Sequence, residues 1–155
     1  MLDDLYRRPG FLLRRAHQIA VAIFIDECEG LRLTPPQHGI LLAVHRMPGL
    51  TQAELSRLLG FDRAMMGQVV DGLVRRKLLR RDRSATNRRL TSLTLSPQGA
   101  RLLYEATSVM KRTSRRILSP LRPSEREVFV ELLMRVTSAL NDVAATPIEQ
   151  REKPS

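Results

Sequence analysis

Apolar residues recur along this chain at helical spacing over most of its length and alternate with polar ones over one short stretch. Leu12, Ala16, Ile19, Ala20 and Ile23 fall on one helix face, and Phe11, Leu13 and Phe24 widen it beyond a single stripe. The pattern predicts a first helix from Pro9, suited to a first turn, to Gly30 as its C-terminal stop. An apolar surface this broad calls for two packing partners, one of them in another chain. Thr34-Pro35-Pro36-Gln37 opens a second helix with Thr34 as N-cap, running to Met47 before the Pro48-Gly49 turn. Thr51 caps a third, and Glu54 completes a capping box. Ala53, Leu55, Leu58 and Leu59 form its buried face, and Gly60 ends it. A fourth helix runs from an Asp62 N-cap to Lys77, with Met66, Val69, Val70, Leu73 and Val74 inward.

The spacing then changes. Leu78 to Arg81 and Leu90 to Leu95 have strand character and enclose the polar, turn-rich stretch 82–89, which predicts a hairpin. Ser96-Pro97 starts a long helix that stops at Leu118, before Pro120. A last helix begins at Pro123, capped by Arg122 or Ser124, and continues to Ala145. Phe129, Leu132, Leu133, Val136, Leu140 and Val143 mark its inner side. Residues 146–155 are polar with two prolines and are expected to be disordered. The sum is six helices and one small β-hairpin in a mainly α chain. At 155 residues without internal repeats, 1–155 reads as a single domain.

Charge narrows the function. There are 26 Lys+Arg against 16 Asp+Glu, a net +10, and the pI is near 11.2. That balance points to a polyanionic partner, with nucleic acid ahead of an anionic membrane. The charge is concentrated. Between Arg75 and Arg89 there are eight basic residues and one acid, Asp82. Such runs are usually solvated faces, but this one begins where a helix–glycine turn–helix unit ends. The unit spans Thr51 to Lys77 and has the form of a helix-turn-helix, whose second helix enters the major groove by its N-terminal residues. That helix turns Arg63, Ala64, Met65, Gln68 and Asp71 outward. Arg63 can fork onto guanine, Gln68 can pair with adenine, and Ala64 and Met65 can meet a thymine methyl. Thr51 and Gln52 at the start of the unit, with Arg75, Arg83, Arg88 and Arg89, complete the candidate DNA-binding set. Arginines along the hairpin can hold phosphates, and one at its tip can enter a narrow minor groove.

Other chemistries are excluded. No nucleophile–base pair, glycine-rich phosphate loop or metal-ligand spacing occurs, so no enzyme activity, cofactor or metal is expected. His38 and His45 share a helix face but stand two turns apart, too far for one metal. Cys28 has no partner for an internal disulfide, and Asp26, Glu27 and Glu29 around it favour a passive thiol. The longest apolar stretch, Ile19 to Ile25, is far shorter than the ~20 residues of a spanning helix. The N-terminus lacks the succession of a signal peptide. A soluble, cytoplasmic protein with no membrane partner is expected. Within DNA binding, a sequence-specific regulator competes with an architectural protein of little sequence preference. Competition against excess random DNA separates them.

The ordered motifs resemble one family. Thr51-Gln52-Ala53-Glu54-Leu55-Ser56-Arg57-Leu58-Leu59-Gly60 and Val70-Asp71-Gly72-Leu73-Val74-Arg75-Arg76-Lys77-Leu78-Leu79-Arg80-Arg81 look like the MarR family of winged helix-turn-helix regulators. Leu33-Thr34-Pro35-Pro36-Gln37 is similar to its L-T-x-x-Q helix start, and Leu95-Ser96-Pro97-Gln98-Gly99 to its L-T-x-x-G start after the wing. The resemblance covers roughly Phe11 to Leu140. It implies a DNA-binding lobe at 34–96 and dimerisation helices at 9–31 and 97–145. It also implies a homodimer on a pseudo-palindromic operator of double-stranded DNA, most often as a repressor. Such regulators commonly answer to a small aromatic or phenolic effector, and the stretch Phe11 to Phe24 resembles members that answer to aromatic acids or their CoA thioesters. Arg14, His17 and His38 are the candidate effector ligands. Two positions depart from the pattern. Asn87 stands where the wing motif D-R-R carries its acid, and Lys77 replaces the common glycine after the recognition helix.

Overall fold

In a computed structural model, residues 2–83 and 91–149 are described. The chain folds as seven helices and a two-stranded antiparallel hairpin in the described residues. In order these are α1 (Asp3–Tyr6), α2 (Pro9–Glu27), α3 (Pro35–Arg46), α4 (Gln52–Leu59), α5 (Arg63–Arg75), β1 (Leu79–Arg83), β2 (Thr91–Leu95), α6 (Pro97–Leu118) and α7 (Pro123–Ala139). Winged helix-turn-helix and flanking helices are as the pattern predicts. The short α1 was not expected.

The helix starts follow from their caps, each of which satisfies an N–H with no partner inside the helix. Thr34 Oγ1 accepts from Gln37 N while Gln37 Oε1 accepts from Thr34 N at 3.1 Å. Thr51 and Glu54 repeat that reciprocal box at 2.8 and 3.2 Å. Asp62 Oδ1 accepts from Met65 N at 2.8 Å, and Ser96 Oγ from Gly99 N at 2.9 Å. Of the two alternatives for α7, Arg122 is the N-cap, and its N–H donates to Glu125 Oε2.

The ends are less faithful to the pattern. α2 stops at Glu27, and Gly30 lies within a 3-10 turn, Glu29–Leu31. The chain reverses at Arg32, which takes φ +51. α7 stops at Ala139 rather than Ala145 and passes into a second 3-10 turn, Asn141–Val143. β1 extends to Arg83, pairing with Thr91, and Leu79 pairs with Leu95. Residues 49–51, read as a turn and a cap, also lie along β2. Leu93 N donates to Leu50 O at 2.8 Å and Gly49 N to Leu93 O at 3.0 Å.

One core joins these pieces. Ile40, Leu41 and Val44 of α3, Leu55 of α4, Met66, Val70 and Leu73 of α5, and Leu79 and Leu93 of the hairpin are all buried. Phe24 of α2 and Leu103, Ala106 and Val109 of α6 continue it toward the long helices. Ala53, assigned to the buried face of α4, is exposed, and Ser56 takes the inner position. α7 differs from every other long helix: none of its residues is buried. Leu132, Met134 and Val136 are 45–61% exposed, and Leu140 and Val143 beyond its end are also uncovered. The expectation of a disordered tail is corrected for residues 146–149, which turn back onto α4. Thr146 Oγ1 donates to Gly60 O and Glu149 N to Arg57 O. These are contacts across more than eighty residues of sequence, invisible to local composition. Residues 150–155 lie outside the described residues.

Candidate DNA-binding face and effector groove

Helix α4, the turn at Gly60 and helix α5 form the helix-turn-helix. Gly60 closes α4 at φ +67, a conformation that costs a residue with a Cβ ~1–2 kcal/mol. Asp62 then starts α5. Arg63, Ala64 and Gln68 are exposed on the outer side of α5, as expected, while Met65 is half-buried. Asp71 does not present a free carboxylate. It accepts a hydrogen bond from Arg81 Nη2 on β1, so the wing strand is pinned to the recognition helix. Thr51 and Gln52 are half-buried at the start of α4, and Arg75 is exposed at the end of α5.

The wing's base is held as firmly. Ser96 Oγ donates to Lys77 O at 2.6 Å and Ser96 N to Leu78 O at 3.1 Å. Gly99 packs against the same segment, so closely that a Cβ there would sit 2.2 Å from Leu78 O. Lys77, where the resembling pattern carries glycine, adopts φ +58. The chain therefore keeps the left-handed turn between α5 and β1 without the residue best suited to it. On β1, Asp82 accepts from Thr94 Oγ1 at 2.6 Å. It braces the hairpin internally and leaves Arg80 and Arg83 exposed. Asn87, Arg88 and Arg89 lie outside the described residues.

A second feature lies between α3 and α6, an open groove of about 580 Å³. Leu42, Leu103 and Met110 give it an apolar lining. His38, His45, Tyr104 and Thr107 add polar groups, and Arg46 and Lys111 add cations. His38 and His45 therefore do share a face, the one that borders the groove. The His38 ring lies 6.1 Å from the buried Phe24 ring, and burial holds its imidazole below the ordinary value of 6.5. Burial thus favours the neutral ring, with one N–H to donate and one nitrogen to accept. Among the sequence-based ligand candidates only His38 borders this groove. Arg14 and His17 are exposed on α2. Arg14 lies over the Phe11 ring at 5.0 Å and donates to Gln18. The sequence reading missed Tyr104, Arg46 and Lys111, because nothing local distinguishes them from ordinary exposed residues of α3 and α6.

Cys28 is buried and free. Burial raises its thiol pKa, and Glu27 adds to the effect. Glu27 itself is held low by Arg116 and Arg112, which reach from α6 and tie it to α2. Among the described residues there is no group of three or more His, Cys, Asp or Glu placed to hold a metal. No helix among them is long and apolar enough to cross a membrane.

Comparison with known proteins agrees with this geometry. Residues 33–90 match the sequence profile of the MarR family. A putative transcriptional regulatory protein for the hcr operon of Thauera aromatica is 32% identical over 146 residues, covering 92% of this chain and 85% of its own. The repressor CouR, solved on a 23-mer DNA duplex, superposes with a TM-score of 0.82 at 28% identity, over 88% of this chain and 97% of that one. BpsR of Bordetella bronchiseptica, whose DNA binding is regulated by 6-hydroxynicotinic acid, superposes with a TM-score of 0.79 at 30% identity, over 85% and 94%. A reading unit that can enter the major groove, a wing braced to it and flanking long helices thus sit in a fold shared with the two solved regulators, and the sequence match extends over nearly the whole chain: the chain belongs to the MarR family of winged helix-turn-helix transcriptional regulators.

Proposed function

We propose that the protein is a homodimeric repressor that holds a pseudo-palindromic operator and is released by a small aromatic or phenolic acid or its CoA thioester. The observation that carries the ligand reading is the groove between α3 and α6. One wall belongs to the DNA-binding lobe and the other to a long helix that leaves it, so a molecule in the groove touches both. A ligand shifts an equilibrium only through unequal affinity for its two states, and a site spanning two bodies is where that inequality arises. An aromatic ring suits Leu42, Leu103 and Met110. A carboxylate suits Arg46 or Lys111, with His38 or Tyr104 beside it. The phosphates of a CoA thioester suit the same two exposed cations. The aromatic effectors of neighbouring regulators such as BpsR add support. The dimer reading rests on α7, whose apolar side has no cover among the described residues. In that dimer Arg14 and His17, exposed on α2, meet an effector only across the interface.

DNA contacts are assigned to Thr51, Gln52, Arg63, Ala64, Met65, Gln68, Arg75 and Arg83, with Arg88 and Arg89 from the wing. Two recognition helices one DNA turn apart imply half-sites ~10 bp between centres. The test is titration of the dimer with a panel of aromatic acids and their CoA thioesters, with and without operator. An effector is expected to weaken operator binding by roughly 5- to 150-fold. Failure of the whole panel to bind removes the ligand reading. Equal affinity for operator and random DNA converts the protein into an architectural binder.

A further inference from the structure

The chain beyond α7 does something that neither the core nor the DNA-binding face requires. Asn141 uses both ends of its amide on one residue: Ile148 N donates to Asn141 Oδ1 at 2.9 Å, and Asn141 Nδ2 donates to Ile148 O at 3.0 Å. That clasp folds residues 141–148 into a closed loop at the foot of α7. The loop is then fastened to the helix-turn-helix. Thr146 Oγ1 donates to Gly60 O at 2.6 Å. Glu149 N donates to Arg57 O at 2.9 Å, and the Glu149 carboxylate pairs with Arg57 Nε at 3.0 Å.

The anchoring points are not arbitrary. The last carbonyls of a helix have no partner inside it, and Arg57 and Gly60 belong to the end of α4. The N–H groups of Gly60 and Phe61 both turn back to Ser56 O, which leaves these later carbonyls open to the loop. Gly60 is also approached sterically. A Cβ there would lie 3.1 Å from both Ile148 Cγ1 and Thr146 O. Two residues further on, Asp62 begins the recognition helix.

We infer that residues 141–149 form a strap that fastens the helix-turn-helix turn to α7 and so sets where the recognition helix stands relative to the dimer helices. The inference rests on the reading of α7 as a dimer helix. The fastening is polar and half-exposed, unlike the buried core of the lobe, so it adds little to the lobe's own folding and much to its placement. Fixing two lobes at one separation matters for a site with two half-sites and is irrelevant to one. A change in the packing of α7 reaches α5 through these residues.

The test uses Asn141→Ala/Thr146→Val and a chain ending at Ala145, both checked for folding by circular dichroism. The DNA probes are the palindrome selected from random duplexes by the parent protein and a duplex carrying one half of it. Amide exchange is measured without DNA. The parent should protect Ile148 and Glu149 N–H tenfold or more over an open tail. The altered chains should exchange Gly60 and Phe61 faster. Affinity for the palindrome should fall about tenfold, within the usual range of coupling between sites, with half-site affinity unchanged. Unprotected amides at 148 and 149 overturn the strap. So does equal loss on both DNA probes, which makes the segment a support for the lobe alone, and so does unchanged affinity for the palindrome. If the parent holds the palindrome no better than the half-site, the dimeric-operator reading fails instead, and the exchange of Gly60 and Phe61 decides the strap by itself.

Discussion

Two glycine-to-alanine changes, in adjoining helices, should move stability in opposite directions. Inside a helix, alanine is favoured over glycine by ~1 kcal/mol. Gly72 lies within α5, and a Cβ built there meets nothing nearer than an Arg75 side-chain nitrogen at 3.9 Å. Gly72→Ala should therefore keep most of the ~1 kcal/mol. Gly99 lies in the first turn of α6, where a Cβ would be 2.2 Å from Leu78 O and 3.0 Å from Leu95 Cδ1. To restore even 3.0 Å the carbonyl must retreat by about 0.8 Å. That carbonyl accepts from Ser96 N, and its neighbour Lys77 O accepts from Ser96 Oγ, so retreat loosens the junction of wing and α6. Overpacking costs ~1–3 kcal/mol where side chains can adjust, and a backbone obstacle belongs at the upper end. After the helix gain is subtracted, Gly99→Ala should lose ~1–2 kcal/mol. For a chain of this size, thermal midpoints move by ~2–4 °C per kcal/mol. Both variants are measured by thermal and urea unfolding at one protein concentration, since a dimer's midpoint depends on it. Movement of both midpoints in the same direction refutes the reasoning. Because Gly99 sets the base of the wing against α6, its variant should also bind operator less tightly than Gly72→Ala.

Lys77→Gly should stabilise the protein by ~0.5–1 kcal/mol by relieving the left-handed backbone at φ +58, seen as a higher urea midpoint. Leu132→Asp should place a charge on the uncovered face of α7 and yield monomers or unfolded chain in sedimentation; a stable, dimeric variant contradicts the interface. Burial holds His38 below its ordinary value of 6.5, so the unfolded chain takes up its proton first on acidification. The stability that depends on a neutral His38 is complete above that value and is lost as pH falls through it toward the folded value. His38→Phe should flatten this part of the stability–pH curve. Arg89→Ala should weaken operator binding more than Lys77→Ala, whose loss removes mainly a phosphate contact, and equal binding by Arg89→Ala and the parent rejects the minor-groove role.

What the sequence discloses depends on how far a signal must reach. Caps act within three residues, and Thr34, Thr51, Asp62 and Ser96 all cap the helices assigned to them. The recognition helix was legible because its apolar and polar faces alternate at helical spacing, and Arg63, Ala64 and Gln68 emerge where that spacing puts them. Asp71 is outward and half-exposed, but its carboxylate is not free. Its partner Arg81 is ten residues away on another element, and only the fold brings them together. The end of α2 failed similarly. Gly30 is the better stop by local chemistry, yet the reversal falls on Arg32. There Arg76, reaching across from α5, donates to Arg32 O at 2.8 Å and holds the turn. The lining of the groove between α3 and α6 was half legible. His38 was singled out, whereas Tyr104 and Lys111 acquire meaning only because α6 lies along α3.

The hardest distinction is between a face covered by the chain itself and one left for another molecule. α6 and α7 both carry apolar residues at helical spacing, α6 on one sharply defined side and α7 more broadly. In α6 that side turns inward, and Leu103, Ala106 and Val109 are buried against α2 and α3. In α7, Leu132 and Val136 also share a helix face and stay uncovered. Periodicity reports that a face is apolar; it does not report what lies against it. The breadth of the surface of α2 was the better clue, since Leu12, Leu13, Ile19 and Ile25 exceed what one neighbour can cover, and they too remain exposed among the described residues. Two separate helices with uncovered apolar sides, both flanking a lobe whose own core is complete, place the surplus hydrophobicity outside that lobe. Burial of that surplus by a second copy costs the lobe nothing and leaves α5 free to read DNA. It also makes the spacing of two such helices a property of α2, α6 and α7, the elements through which a ligand in the groove can act.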